Sequence, residues 1–189
     1  PPPSCGDGIA TTKTWNNSTR DFKWETANNW SPSGVPDCDD NVVMGNAFDC
    51  DINSTVKVNN LTCPQTYTKR ISIKGTASLR ANDITLSGGS ILGAVTNDTF
   101  VARNVTMGFG AVLITNHAII RGTLSMGNSQ FNPFSNATID IMNLSLRNFS
   151  RFNAPDGYSK NPQAIVSIRG DFYRESVGTF SHNNGMVRY

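Results

Sequence analysis

The chain has 189 residues, enough for one domain with a substantial core. Only 16% of the residues are charged, against about 25% in a typical soluble domain, and the formal net charge is +2. No basic stripe suited to nucleic acid occurs, and no apolar run approaches the length of a membrane span. We therefore expect no nucleic-acid partner and no membrane insertion.

The N-terminal third contains all four cysteines, Cys5, Cys38, Cys50 and Cys63. An even number in one region favours two disulfides, and the alternatives are buried free thiols or a metal site. Zinc is disfavoured because no Cys-x-x-Cys motif occurs and both histidines lie far away in the sequence. We prefer Cys5–Cys38 with Cys50–Cys63, a connectivity that spacing alone does not fix.

Four aromatic residues follow within a short stretch, namely Trp15, Phe22, Trp24 and Trp30. A stack of β-coils needs a cap on its first coil, because open strand edges and apolar side chains would otherwise face water. Packed aromatics beneath a Pro/Gly loop can supply that cap, and an exposed carbohydrate-binding platform is the alternative. We predict an irregular, disulfide-bonded cap over residues 1–55.

An acidic run, Asp37-Cys38-Asp39-Asp40, lies within this cap. Carboxylate oxygens are ligands that Ca²⁺ accepts, so Asp37, Asp39 and Asp40 form a weak calcium candidate. The run lacks EF-hand spacing and a distal Glu, which favours a solvated turn instead. We therefore predict no bound metal and no cofactor.

Short apolar strands then recur about every 20 residues, with Leu86, Met107, Met126 and Leu146 in equivalent places. Three such strands fall in each period, separated by Gly, Asn and Ser at the corners. Repeats of this length indicate a solenoid whose units bury their apolar faces by stacking. The alternative is a β-sandwich of short strands.

We predict an all-β, single-domain parallel β-helix with three short strands per coil over residues 56–189. The crossover rule for parallel strands predicts right-handed winding. The predicted core residues are Leu86, Ile91, Val101, Val105, Met107, Val112, Ile114, Ile120, Leu124, Met126, Phe131, Ile139, Ile141, Leu144, Leu146, Phe152, Val166 and Ile168.

Asn-x-Ser/Thr sequons are about twice as frequent as this composition gives by chance. Since Asn104 and Asn143 precede core residues in equivalent coil positions, stacked coils would place glycans in a row. With the cysteines and the Pro-rich start, the sequons predict an extracellular or cell-surface protein whose signal peptide has been removed. The glycosylation candidates are Asn17, Asn53, Asn60, Asn97, Asn104, Asn136, Asn143 and Asn148.

The stretch from Trp24 to Met44 contains Asn29-Trp30, then Gly34-Val35-Pro36, then Asp and apolar residues. It resembles the entry motif of secreted parallel β-helix domains, such as adhesin and autotransporter passenger repeats. The starts of the amnionless extracellular domain and of G8 domains are similar. The segment 178–185 resembles a Gly-Thr-Phe-x-x-Asn-x-Gly unit of large bacterial surface proteins. This resemblance implies an extracellular β-solenoid and no specific activity.

Catalytic groupings are scarce: Asp83, Asp140 and Asp171 have no second acid at strand spacing, so we assign no catalytic residue. We expect a structural or adhesive module, with other copies, other surface proteins or surface glycans as partners. The last residues, 186–189, look like a strand without a closing cap, which suggests head-to-tail stacking into a fibre or a longer chain. The alternative function is a carbohydrate-binding or carbohydrate-active protein of the polysaccharide lyase or hydrolase kind.

Overall fold

The computed structural model describes residues 8–45, 48–94, 99–134, 137–154, 165–181 and 186–188. The chain forms an all-β parallel β-solenoid of about five turns, as the sequence repeat predicted. Its strands are β1 (Thr12–Trp15), β2 (Trp30–Ser31), β3 (Asn41–Val43), β4 (Cys50–Ile52), β5 (Thr55–Cys63), β6 (Arg70–Ile73), β7 (Ser78–Leu86), β8 (Ile91–Ala94), β9 (Thr99–Met107), β10 (Val112–Ile114), β11 (His117–Gly127), β12 (Gln130–Phe131), β13 (Thr138–Arg147), β14 (Arg151–Asn153), β15 (Ile165–Ile168), β16 (Phe172–Arg174), β17 (Thr179–Ser181) and β18 (Met186–Arg188).

Two sheets run along the solenoid. The larger sheet has the order β18-β15-β13-β11-β9-β7-β5-β3-β1-β2, with β16 also paired to β13. The smaller sheet has the order β17-β14-β12-β10-β8-β6-β4. Each coil from β5 to β14 thus contributes one strand to each sheet, and equivalent strands of successive coils pair in parallel. The register matches the sequence period, because Leu86 pairs with Met107, Met107 with Met126 and Met126 with Leu146.

The strands of the larger sheet are long because each combines two of the three predicted short strands. In β9, Phe100 and Ala102 face inward, and so do Val105 and Met107. Across Arg103-Asn104, the successive inward residues Ala102 and Val105 are three positions apart, whereas simple alternation would place inward residues two positions apart. The backbone pairing continues through this bend, so two predicted strands form one bent strand. Among the described coils, the one after β14 has the two strands separate, as β15 and β16.

Most of the predicted core is buried, but Ile91, Val101, Val112 and Ile114 are only half-buried. The prediction was wrong for these four residues because runs of consecutive apolar residues do not reveal which side faces inward. Strand register decides it: Leu113 pairs with Leu92 and Phe131, and all three are buried. Alternate residues of a strand face opposite sides, so the neighbours of these inward residues lie on the outer surface.

The N-terminal region joins the same sheets. β1 pairs in parallel with β3, β3 with β5, and β4 with β6. Pairing therefore runs across residue 55, the predicted boundary between cap and coils. β2 closes this end of the larger sheet by pairing antiparallel to β1. The direction of winding stays a prediction.

Candidate functional site

Three of the four predicted cap aromatics are packed in the interior. Trp15, Trp24 and Trp30 are at most 2% exposed, and their rings meet edge to face, with centroids 5.0 Å apart for Trp15–Trp30 and 4.6 Å for Trp24–Trp30. The Trp30 indole also donates a hydrogen bond of 2.8 Å to the Trp24 carbonyl oxygen. These indoles therefore cover the first coil and offer no surface to a ligand.

Phe22 differs from the tryptophans, since its side chain is 42% exposed. Its residue lies beside β4: the Asp51 N–H donates to the Phe22 carbonyl oxygen at 2.7 Å, and the Trp24 N–H donates to the Asp51 carbonyl oxygen at 2.9 Å. Residues two apart on a strand share a face, so Phe22 would face inward with the buried Trp24. Its φ of 61° is instead left-handed, which is unusual for a bulky residue. The side-chain oxygen of Asn17 holds this turn by accepting from the Phe22 N–H at 3.0 Å.

Phe22 borders an open depression of about 330 Å³ beside the smaller sheet. The other lining residues belong to the first two coils and are Asp49, Asp51, Arg70, Ser72 and Lys74, of which Ser72 is buried. Ser72 pairs with Asp51 across the strands, and Lys74 forms a 3.3 Å ion pair with Asp51. Two carboxylates, one guanidinium and one ammonium thus share this surface with an aromatic ring.

Arg70 is positioned by the backbone around it. Its N–H donates to the Asp49 carboxylate at 2.9 Å, and its carbonyl oxygen accepts from the Tyr67 hydroxyl at 3.3 Å. The guanidinium lies against Gly93 of the next coil, where an added Cβ would stand only 3.1 Å from Nη2. Glycine at this position therefore leaves the space that the guanidinium occupies. Sequence reasoning missed Arg70, Ser72 and Lys74, although their alternation with Ile71 and Ile73 marks them as outward residues.

The acidic run of the cap is organised around Asp40. Asp40 is buried, and its carboxylate accepts from the Thr11 hydroxyl, from the Thr11 N–H at 3.1 Å and from the Asp37 N–H at 3.1 Å. Its oxygens therefore serve as backbone caps. Asp37, Cys38 and Asp39 bring possible ligand atoms within 4.8 Å of one another, but the Asp37 carboxylate already accepts from the Asp39 N–H.

Cys50 and Cys63 are buried free thiols, so the predicted bridge between them was wrong. Cys50 begins β4 in the smaller sheet, whereas Cys63 ends β5 in the larger sheet, and both side chains occupy inward apolar positions. Burial raises the pKa of each thiol, because the interior disfavours the thiolate. Cys5 lies outside the described residues, so its pairing with Cys38 stays a prediction.

Three sequon asparagines belong to a polar ladder at the bend of the larger sheet. The Asn60 amide donates to the Asn41 side-chain oxygen and the Asn104 amide to the Asp83 carboxylate, both at 2.8 Å. The Asn143 side-chain oxygen accepts from the Asp171 N–H at 2.9 Å. At this bend the chain has an Asn that bonds to the neighbouring coil, then an inward apolar residue, then Thr or Ser. These three positions match the sequon pattern, so the structure of the bend accounts for these sequons without glycans.

The remaining sequon asparagines fall into three groups. Asn17 is buried, at 1% exposed, whereas Asn53 and Asn148 are exposed. Asn97 and Asn136 lie outside the described residues. Among the described candidates, Asn53 and Asn148 are therefore the ones whose position in the folded chain leaves room for a glycan.

Asp140, one of the acids considered as a catalytic candidate, has both carboxylate oxygens hydrogen-bonded. Its two oxygens accept from Arg169 Nε at 2.7 Å and Nη2 at 2.6 Å, a bidentate pair on the outer face of the larger sheet. Both carboxylate oxygens are therefore occupied by a single guanidinium.

No family model, curated protein or solved structure matches the chain. Within the described residues, no helix has the length and apolar character that crossing a bilayer requires. The fold and the surface are therefore the basis for any statement on function.

Proposed function

We propose that this protein is an extracellular structural or adhesive β-solenoid module. The observation that carries the proposal is the regularity of the outer surface. Outward hydroxyl residues on the second half of the larger-sheet strands align from coil to coil, in the order Thr62, Thr85, Thr106 and Ser125. Ser145 continues the row in register, but its hydroxyl oxygen is buried. Such a row lies on a parallel sheet and presents the same chemistry repeatedly, which suits attachment to an extended partner.

The assembly part of the proposal is head-to-tail stacking of copies along the solenoid axis. The tryptophan cluster and β2 cover one side of the first described coil, so they would form one of the two contact surfaces. Contact between two different surfaces builds a fibre when it does not close. The partners of the module are other copies, other surface proteins or surface glycans.

Electron microscopy and analytical ultracentrifugation of the purified chain test assembly, and binding to whole-cell surfaces tests adhesion. Filaments, or adhesion by a monomer, fit the proposal. A screen against polysaccharides with product detection tests the enzymatic alternative. Turnover of a polysaccharide that Asp140→Asn or Asp171→Asn abolishes, with the fold retained, would contradict the structural or adhesive proposal.

The exposed sequons have their own test. In a eukaryotic secretory host we expect a mass shift that an amidase for N-linked glycans removes and that Asn53→Gln with Asn148→Gln reduces. Glycans mapped to Asn60 and Asn104 in folded material would contradict the ladder assignment.

A further inference from the structure

We propose that the depression around Phe22, Asp49, Asp51, Arg70, Ser72 and Lys74 binds an uncharged saccharide unit. The inference rests on the proposed adhesive function and specifies one ligand class for it. It begins from the Phe22 ring, which a left-handed backbone turns outward although Trp24, two residues on, is buried. Strained backbone at an exposed aromatic is a feature that surrounding structure must maintain, and such residues cluster at binding sites.

The surrounding bonds hold this loop in place. The Phe22 N–H donates to Asn17, itself 1% exposed, and the Phe22 carbonyl accepts from Asp51 in β4. The Phe22 backbone is therefore fixed to the strand that supplies the carboxylate of Asp51. A ligand would meet a site that needs little ordering on binding, which favours affinity.

The charges of the depression identify the ligand as neutral. Asp49 and Asp51 are balanced by Arg70 and Lys74, and the Lys74–Asp51 pair neutralises part of the surface. An anion or a cation would meet as many like charges as opposite ones. A polyol suits this mixture, because its hydroxyls donate to carboxylates and accept from guanidinium and ammonium groups.

The aromatic ring narrows the class to saccharides. A pyranose has an apolar C–H face that packs on an aromatic side chain, together with hydroxyls around its edge. Phe22 and the polar residues of the first two coils border the same depression. One wall therefore matches the apolar face and the others match the hydroxyl edge, as in small-ligand sites with a few placed polar groups.

The experiment uses the full chain and immobilised neutral oligosaccharides of glucose, galactose, mannose and N-acetylglucosamine, followed by calorimetric titration of those that bind. Phe22→Gly removes the ring and suits the left-handed backbone, so the fold is kept. We expect Phe22→Gly to weaken binding by about tenfold, since an aromatic contact contributes up to about that factor. We expect Arg70→Gln to weaken binding by about the same factor, since it removes a charged hydrogen-bond donor. Matched controls are Phe149→Ala and Arg80→Gln, which change exposed residues on other surfaces and should leave affinity unchanged.

Three results would overturn the inference: no neutral oligosaccharide binds, only anionic glycans bind, or Phe149→Ala weakens binding as much as Phe22→Gly. Its failure is distinguishable from failure of the proposed function. Adhesion or filaments without neutral-saccharide binding would remove this inference alone, whereas a monomer that binds saccharides but attaches to no surface would remove the adhesive proposal and leave the site.

Discussion

The N-terminal cap and the regular coils are stabilised in different ways. In the coils, parallel backbone pairing and repeated inward side chains provide most of the stabilisation, as in β9 and β11. Between β1 and β3 scattered backbone hydrogen bonds are supplemented by side chains, namely the packed tryptophans and carboxylates that accept from backbone N–H groups. The left-handed residues Asn17, Arg20 and Phe22 also lie in this stretch.

The difference shows how a solenoid ends. A repeating unit satisfies its backbone through its neighbours, but the first coil has a neighbour on one side only. Side-chain acceptors and large rings replace the missing coil. Single residues of the cap should therefore matter individually, whereas the coils contain several equivalent residues of each kind.

The largest expected effect is in the cap. Trp24→Ala should lower the free energy of unfolding by about 3–5 kcal/mol, because it empties the space beside Trp30. Leu124→Ala, in the coils, should cost about 2–5 kcal/mol through a cavity between neighbouring coils. Urea unfolding followed by fluorescence and circular dichroism measures both. Phe149→Ala is the exposed control, and a Trp24→Ala variant as stable as that control would refute the cap role.

An intermediate effect is expected at the polar ladder. Asn104 donates to Asp83 and accepts from the Thr123 N–H at 3.0 Å, so it links three coils. Asn104→Ala should cost about 1–3 kcal/mol, since it leaves partly buried polar groups unpaired. Thr106→Ala, at an exposed position two residues on, should change little. Equal destabilisation by the two substitutions would mean that the ladder adds nothing beyond the strand.

A pH-dependent effect is expected at Asp21. The Thr26 hydroxyl donates to its carboxylate at 2.6 Å and the Lys23 N–H at 3.0 Å, and these bonds hold the pKa of Asp21 well below its usual value. The contribution of Asp21 to stability is therefore complete above the unfolded pKa of about 3.9 and is lost as the pH falls toward the lower folded pKa.

Asp21→Asn should accordingly flatten the fall of stability below about pH 4 relative to the unsubstituted chain. Urea unfolding at a series of pH values measures this slope. Asp171→Asn, an exposed acid outside the cap, is the control. Parallel pH profiles for the unsubstituted chain and Asp21→Asn would contradict the assignment.

The smallest effect is expected at the buried thiols. Burial raises the pKa values of Cys50 and Cys63, so both should be inert to a thiol reagent at pH 8 in the folded protein and reactive in urea. Reagent titration by absorbance measures this. Rapid labelling of both thiols in the native state would show that the first coil opens more readily than the packing of Tyr67, Cys50 and Cys63 indicates.

Much of the fold was predictable because a solenoid repeats its own pattern. Leu86, Met107, Met126 and Leu146 pair as their spacing indicated, since parallel coils must align equivalent residues. The tryptophans were identified as cap residues from their position before the repeat. Periodicity carries this information because the same inward contact recurs in every coil.

Other features needed the tertiary structure. Whether Ile91 or Leu92 faces inward depends on register, which an unbroken apolar run does not contain. The sequence has four cysteines, but only the fold places Cys50 and Cys63 in separate strands as free thiols. The outward turn of Phe22 depends on a left-handed backbone held by Asn17 and Asp51. The depression beside it combines side chains from two coils and a loop, which come together only when the first coils stack.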